Sequence, residues 1–245
     1  RNNIKYKKMI NRKSIVLFVF MLIGFSCSSQ VLISLLLGDK LNSDQLEFGL
    51  EGGVNFSNIS GLDSDKRLSA FNLGFYFDFK IKNQWNFYTG VLVKSNLGVD
   101  KLTADDLAFL EITPNDETDG TYSQVLKYFI VPALIKYRFK NRIYLEGGPQ
   151  FGLMYKSWVE FDSSVGDKDI KTKDYNKDKI NKLDTGITFG TGYKLRPTKA
   201  GMTIGVKYYY GFVNVYKGVS GTNNSSWFLK CNIPIGAGKK KEKTQ

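Results

Sequence analysis

Eight segments of this sequence are long enough to be strands, and the connections between them alternate short and long without exception. The segments are 46–59, 70–81, 85–99, 123–139, 143–158, 183–195, 202–216 and 226–236. Each exceeds the ~5–6 residues of an ordinary strand and reaches the ~9–11 that a tilted strand needs to cross a bilayer. The short connections are 82–84, 140–142 and 196–201; the long ones are 60–69, 100–122, 159–182 and 217–225. An up-and-down barrel in an outer membrane has this asymmetry, with tight turns on the periplasmic side and long loops outside. A Greek-key sandwich has no reason for it.

Alternation along each segment says which face is oily. Phe71, Leu73, Phe75, Phe77, Phe79 and Ile81 fall on one face, and Asn72, Gly74, Tyr76, Asp78 and Lys80 on the other. Phe129, Val131, Ala133, Ile135 and Tyr137 oppose Pro132, Leu134, Lys136 and Arg138. Ile204, Val206, Tyr208, Tyr210 and Phe212 oppose Thr203, Gly205, Lys207 and Tyr209. Eight strands enclose too narrow a space for this many large side chains. The apolar face therefore points outward into lipid and the polar face inward, which makes the expected fold an all-β, eight-stranded antiparallel transmembrane barrel. A lipocalin-type soluble barrel would reverse the two faces. Aromatics near the segment ends (Trp85, Phe87, Tyr88, Tyr137, Phe139, Tyr144, Tyr155, Trp158, Tyr216, Trp227) read as interfacial girdles.

Composition narrows the chemistry. The chain has 245 residues, no His, 24 Gly, 5 Pro and 35 aromatics. Without His there is no Ser-His-Asp triad, no Cys-His dyad and no His-ligated zinc. The net charge of +12 is concentrated at the ends: six basic residues and no acid in 1–29, and a Lys-rich tail from Lys239. The region between is close to balanced, so the basic footprint that nucleic acid requires is missing.

Residues 15–25 form an apolar run after Arg12 and Lys13, followed by the small residues Ser26-Cys27-Ser28-Ser29. This reads as a signal peptide over 1–29 with a plausible true start at Met9. Two alternatives stay open: lipidation of Cys27, and an uncleaved span over 15–37. Residues 30–45 are then a lead-in or short helix, 46–238 the barrel and 239–245 a basic tail. After cleavage Cys231 is the one cysteine of the mature chain, so it has no intramolecular disulfide partner.

Several stretches resemble the outer membrane protein β-barrel domain family, also described as porin family or PorT-like. They are the lead-in 31–42 running into Leu46-Glu47-Phe48-Gly49-Leu50-Glu51-Gly52-Gly53, then Val131-Pro132-Ala133, Glu146-Gly147-Gly148-Pro149 and Lys207-Tyr208-Tyr209-Tyr210-Gly211. The resemblance spans roughly 31–236. It implies an eight-stranded barrel in a Gram-negative outer membrane and no catalytic residues. One branch of the family is linked to protein secretion.

Strand parity places Glu51, Asp78, Lys80, Lys94, Lys136, Arg138, Glu146, Asp184, Lys194, Lys207 and Lys230 in the lumen. Charges confined there should pair, because an unpaired buried charge is costly. The expected result is a salt-bridged plug; a thin, cation-lined pore for small anions is the alternative. Loop 100–122 carries seven acids against Lys101 and reads as a solvated acidic loop. Its Asn115–Gly120 stretch lacks a carboxylate at the twelfth position of a calcium loop, and the Asp174–Asp178 stretch lacks the required Gly. Loop 159–182 reads as a flexible, hydrated surface loop. No cofactor or metal site is expected. The expected partners are outer-membrane lipid and an unidentified extracellular or periplasmic protein. The expected role is non-enzymatic, structural or surface-interacting, with a narrow channel or a transport or secretion accessory as the alternative.

Overall fold

A computed structural model describes residues 42–114, 120–165, 168–198 and 201–235. The expected signal peptide, most of the lead-in, the basic tail and the 115–119 stretch lie outside the described residues. Nine strands follow in chain order: β1 (Leu46–Ile59), β2 (Leu68–Lys82), β3 (Trp85–Val99), β4 (Thr121–Arg138), β5 (Ile143–Val165), β6 (Lys168–Tyr175), β7 (Leu183–Lys194), β8 (Thr203–Asn214) and β9 (Asn223–Pro234). Eight of them close a ring in the order β4-β3-β2-β1-β9-β8-β7-β5, with β5 returning to β4. All neighbours are antiparallel. Closure leaves no strand edge in the wall, as a lipid-embedded sheet requires.

The faces sort as alternation dictates. Phe71, Phe129, Ile135, Phe151, Phe189, Phe212 and Leu229 are exposed on the outside, while Asn55, Asn72, Asp78, Gln150, Thr188 and Ser226 are buried inside. Phe48 is also outward, yet covered by the rings of Phe75 and Phe77. The tight β2–β3 turn places Asn83 at φ 52°, a conformation Asn tolerates better than most residues.

The interior departs from the sequence reading in one respect. Its half nearest the short turns is polar and charged. Its half nearest the long loops combines an apolar core, built from Ile59, Leu97, Val99, Leu126, Ile130 and Phe228, with buried uncharged polar groups such as Gln124, Ser157 and Asn176. Tyr88 and Tyr144, expected in the girdles, point inward and are fully or almost fully buried.

The long loops supply the other half of that core, and both corrected expectations arise here. The acidic loop folds into helix α1 (Ala104–Phe109), closed by a capping box between Thr103 and Asp106. The buried Asp106 carboxylate also accepts from the amides of Asp63 (2.6 Å) and Ser64 (3.0 Å), tying α1 to the β1–β2 loop. Leu102, Leu107 and Leu110 insert into the apolar core. Within 159–182 the described residues likewise form regular structure: β5 continues beyond the ring and pairs with β6, and Ile180 then bridges to Tyr216. Short polar-alternating segments read as loops when the partner strand is unknown, and here the extension of β5 provides the partner.

In the β4–β5 seam the register is continuous from Pro132↔Gln150 to Ile135↔Gly147, and between these pairs Gly148 sits at φ +154°, where an added Cβ would lie 2.4 Å from the Ala133 carbonyl oxygen. Gly148→Val should therefore obstruct closure, at a cost of about 2 kcal/mol or more. On an unboiled denaturing gel, the expected result is loss of the heat-shifted folded band that the unsubstituted protein gives.

Candidate functional site

The charged half of the lumen holds the densest cluster of ionisable side chains among the described residues. It is built by strand parity: each contributing residue sits at an inward position near the short-turn end of its strand. Asp78 of β2 is its lower centre. It accepts from Lys136 Nζ at 2.9 Å, from an Arg138 guanidinium nitrogen at 2.6 Å and, on its other oxygen, from Asn86 at 2.7 Å. Lys136 also lies 3.5 Å from Glu146, which is 2.5 Å from Lys230 Nζ. Lys207 Nζ donates to Glu51 at 3.0 Å, and the Tyr88 hydroxyl donates to the other Glu51 oxygen. At the rim, Lys194 meets Glu47 at 2.8 Å, with the Tyr76 hydroxyl donating to the same carboxylate.

Aromatic rings interleave with these charges. The ammonium groups of Lys136 and Lys230 lie 3.8 Å and 4.3 Å from the Tyr88 ring centroid, and Lys207 lies 5.1 Å from that of Phe228. The ring quadrupole offsets part of what these lysines lose on leaving water. Asn232 donates to the Tyr88 hydroxyl at 2.7 Å, so the phenol is held from both sides.

Of the expected lumen residues, the structure brings together Glu51, Asp78, Lys136, Arg138, Glu146, Lys194, Lys207 and Lys230. Three stand apart. Lys80 follows inward parity but lies at the short-turn rim, where it is exposed and outside the layer. Asp184 is buried higher up, in the second position of β7; its contact is the Asn224 amide at 2.8 Å, with no cation. Lys94 is not in the lumen at all. The β2–β3 and β3–β4 registers both shift around it, so parity slips by one and Ser95, Leu97 and Val99 take the inward positions.

Sequence reading placed Tyr76 on the inward face without a role, and it missed Glu47, Tyr88 and Asn86. Glu47 was reachable, since it shares parity with Glu51. Tyr88 was not, because a Tyr near a strand end is equally at home in an interfacial girdle.

Chemically the layer pairs fixed charges. Each carboxylate faces a lysine or arginine, and among the described residues no group of three or more acidic or sulfur side chains is placed to hold a metal. The opposite end of the barrel adds an exposed contact between loops to its buried core. Lys179 beside Glu111, at 2.6 Å, holds that carboxyl below its usual range.

The family model described as outer membrane protein beta-barrel domain matches residues 39–217. Among solved structures the chain is similar to Ail, the attachment invasion locus protein of Yersinia pestis, at 15% identity over 78% of this chain and 99% of that one, with TM-score 0.39. It is similar to Neisserial surface protein A at 12% identity over 77% and 97%, with TM-score 0.40. A third is OprG from Pseudomonas aeruginosa, at 13% identity over 78% and 93%, with TM-score 0.34. Comparison with curated proteins gives no match.

Removing one member of a buried pair strands its partner, at about 3–5 kcal/mol. Glu146→Gln should therefore destabilise the barrel strongly, and Glu146→Gln with Lys230→Met should recover much of the loss. Urea unfolding in detergent micelles, followed by gel mobility, would show a double-mutant coupling of about 2 kcal/mol.

Proposed function

The chain belongs to the outer membrane protein beta-barrel domain family, and on that premise we propose that it is a sealed, non-enzymatic barrel that holds a folded loop platform at the cell surface. The observation that carries this reading is the occupancy of the lumen at two levels. Near the short turns, Lys136, Lys207, Lys230, Glu51 and Glu146 are buried across the bore. Near the long loops, Leu102, Leu107 and Leu110 pack against wall residues such as Leu97 and Leu126. An ion crossing the barrel would have to break paired charges and then traverse an apolar core.

The platform is the second support. Helix α1, the β5–β6 hairpin and the 3-10 turn at Lys177–Lys179 are folded elements, held by Asp106, by strand pairing and by the Lys179–Glu111 contact. Ordered loops cost less entropy to engage a partner than floppy ones. The partner, on this reading, is an extracellular macromolecule met by the loops; the porin-like channel and the PorT-like secretion accessory are the rival roles.

Planar-bilayer recording decides between sealing and conduction. Folded protein should give no discrete conductance steps. Steps that change with Lys136→Gln or Arg138→Gln would overturn the sealed reading. Replacing 163–170 by a tight turn should leave the heat-shifted band intact and remove any adhesion the protein confers on whole cells.

A further inference from the structure

Three lysines stand on the outer face of adjoining strands at one height: Lys94 on β3, Lys127 on β4 and Lys156 on β5. Register makes Lys127 and Lys156 direct cross-strand partners. Lys94 lies two residues from Asn96, the partner of Lys127, which makes it a diagonal neighbour. Lys173 on β6 joins them through Trp158: the Lys127 and Lys173 ammonium groups lie 5.3 Å and 4.6 Å from the same indole. Like charges placed directly opposite destabilise a sheet.

Nothing in the described protein neutralises the row. Glu160 acts on Lys127 from a distance, and it is already engaged by Lys173, Lys171 and the Trp158 indole N–H. Asp162 pairs with Lys171. Lys94, Lys127 and Lys156 have no carboxylate within ion-pair distance among the described residues.

Two bulges make the row. On β3 the register shift between Leu92 and Ser95 turns Lys94 outward. On β5 the shift opposite Lys127/Tyr128 inserts Tyr155, so that Lys156 faces out where Gly152 and Met154 face in. Without these shifts both lysines would point into the lumen. Bulges re-aim side chains in this way.

The height of the row identifies its surroundings. From Tyr137 at the short-turn end of β4 to Lys127 is a run of ten residues. At ~3.3 Å per residue and a tilt of ~40°, that spans about 25 Å along the membrane normal, the height of a barrel's hydrocarbon-facing band. Below the row, Phe129, Phe151 and Leu153 are exposed on the same face. The ammonium groups therefore sit at headgroup level above an acyl-contacting surface.

We propose that Lys94, Lys127 and Lys156, flanked by Lys173, form a binding site for the phosphorylated headgroup of a membrane lipid. A phosphate monoester supplies the missing negative charge and its acyl chains cover the phenylalanines beneath. The row faces sideways along the membrane, away from the loop tips, which favours a lipid over a soluble acidic ligand.

The test uses full-length protein in detergent micelles, its fold checked by the heat-shifted band. Native mass spectrometry would compare bound lipid A, which carries phosphate monoesters, with its dephosphorylated form. The unsubstituted protein should retain the phosphorylated lipid preferentially, and K94Q/K127Q/K156Q should lose that preference by about tenfold or more. Should the triple variant fail to fold, Lys156→Gln alone should lose about fivefold. Equal retention of both lipids by the unsubstituted protein, or a preference that survives the substitutions, would overturn the proposal. Complete displacement of the lipid by excess inorganic phosphate would also overturn it, by showing a free-phosphate site.

Discussion

A charge inside an eight-stranded cylinder has no room for its own hydration shell, so a layer of several lysines there depends on carboxylates supplied by other strands. Lys136, Lys207 and Lys230 meet this demand with Asp78, Glu51 and Glu146, which come from different strands of the ring. Each pair therefore reports on register. A slip of one residue in any strand would swing its whole polar set into lipid, stranding partners on the others. The ionic layer contributes specificity of assembly more than net stability, since desolvation consumes much of the Coulombic gain.

The apolar half of the lumen solves a different problem. Long loops above a membrane would be free to wander unless anchored. Here Leu102, Leu107 and Leu110 descend into the bore, and the Asp106 carboxylate accepts from three backbone amides, those of Asp63, Ser64 and Thr103, at the base of α1. The barrel mouth thus serves the loops as a soluble protein's core serves its helices. On the proposed reading, the contacts that order the loops are also the ones that seal the bore.

Much of the architecture was legible in the sequence because its signals are local and repeated. Strand length, alternating faces and the short-long rhythm of connections each depend on a few neighbouring residues, and eight repetitions reinforce one another. The lumen set was legible for the same reason wherever alternation ran unbroken, as at Glu51, Asp78, Lys136 and Lys207. It failed at Lys94, where a bulge interrupts the count, and at the loops, whose helix and hairpin depend on partners far along the chain.

By itself the sequence determined that the chain must close into a cylinder with lipid outside, because period-2 hydrophobicity leaves no other burial for the phenylalanines of β2, β4 and β8. It also determined which residue types line the bore. Tertiary structure alone decided which lysine meets which carboxylate, that Tyr88 and Tyr144 turn inward among them, and that two bulges carry Lys94 and Lys156 out to the membrane face. The physical reason is that parity is a property of one strand, whereas pairing, bulging and loop docking arise from registers set between strands.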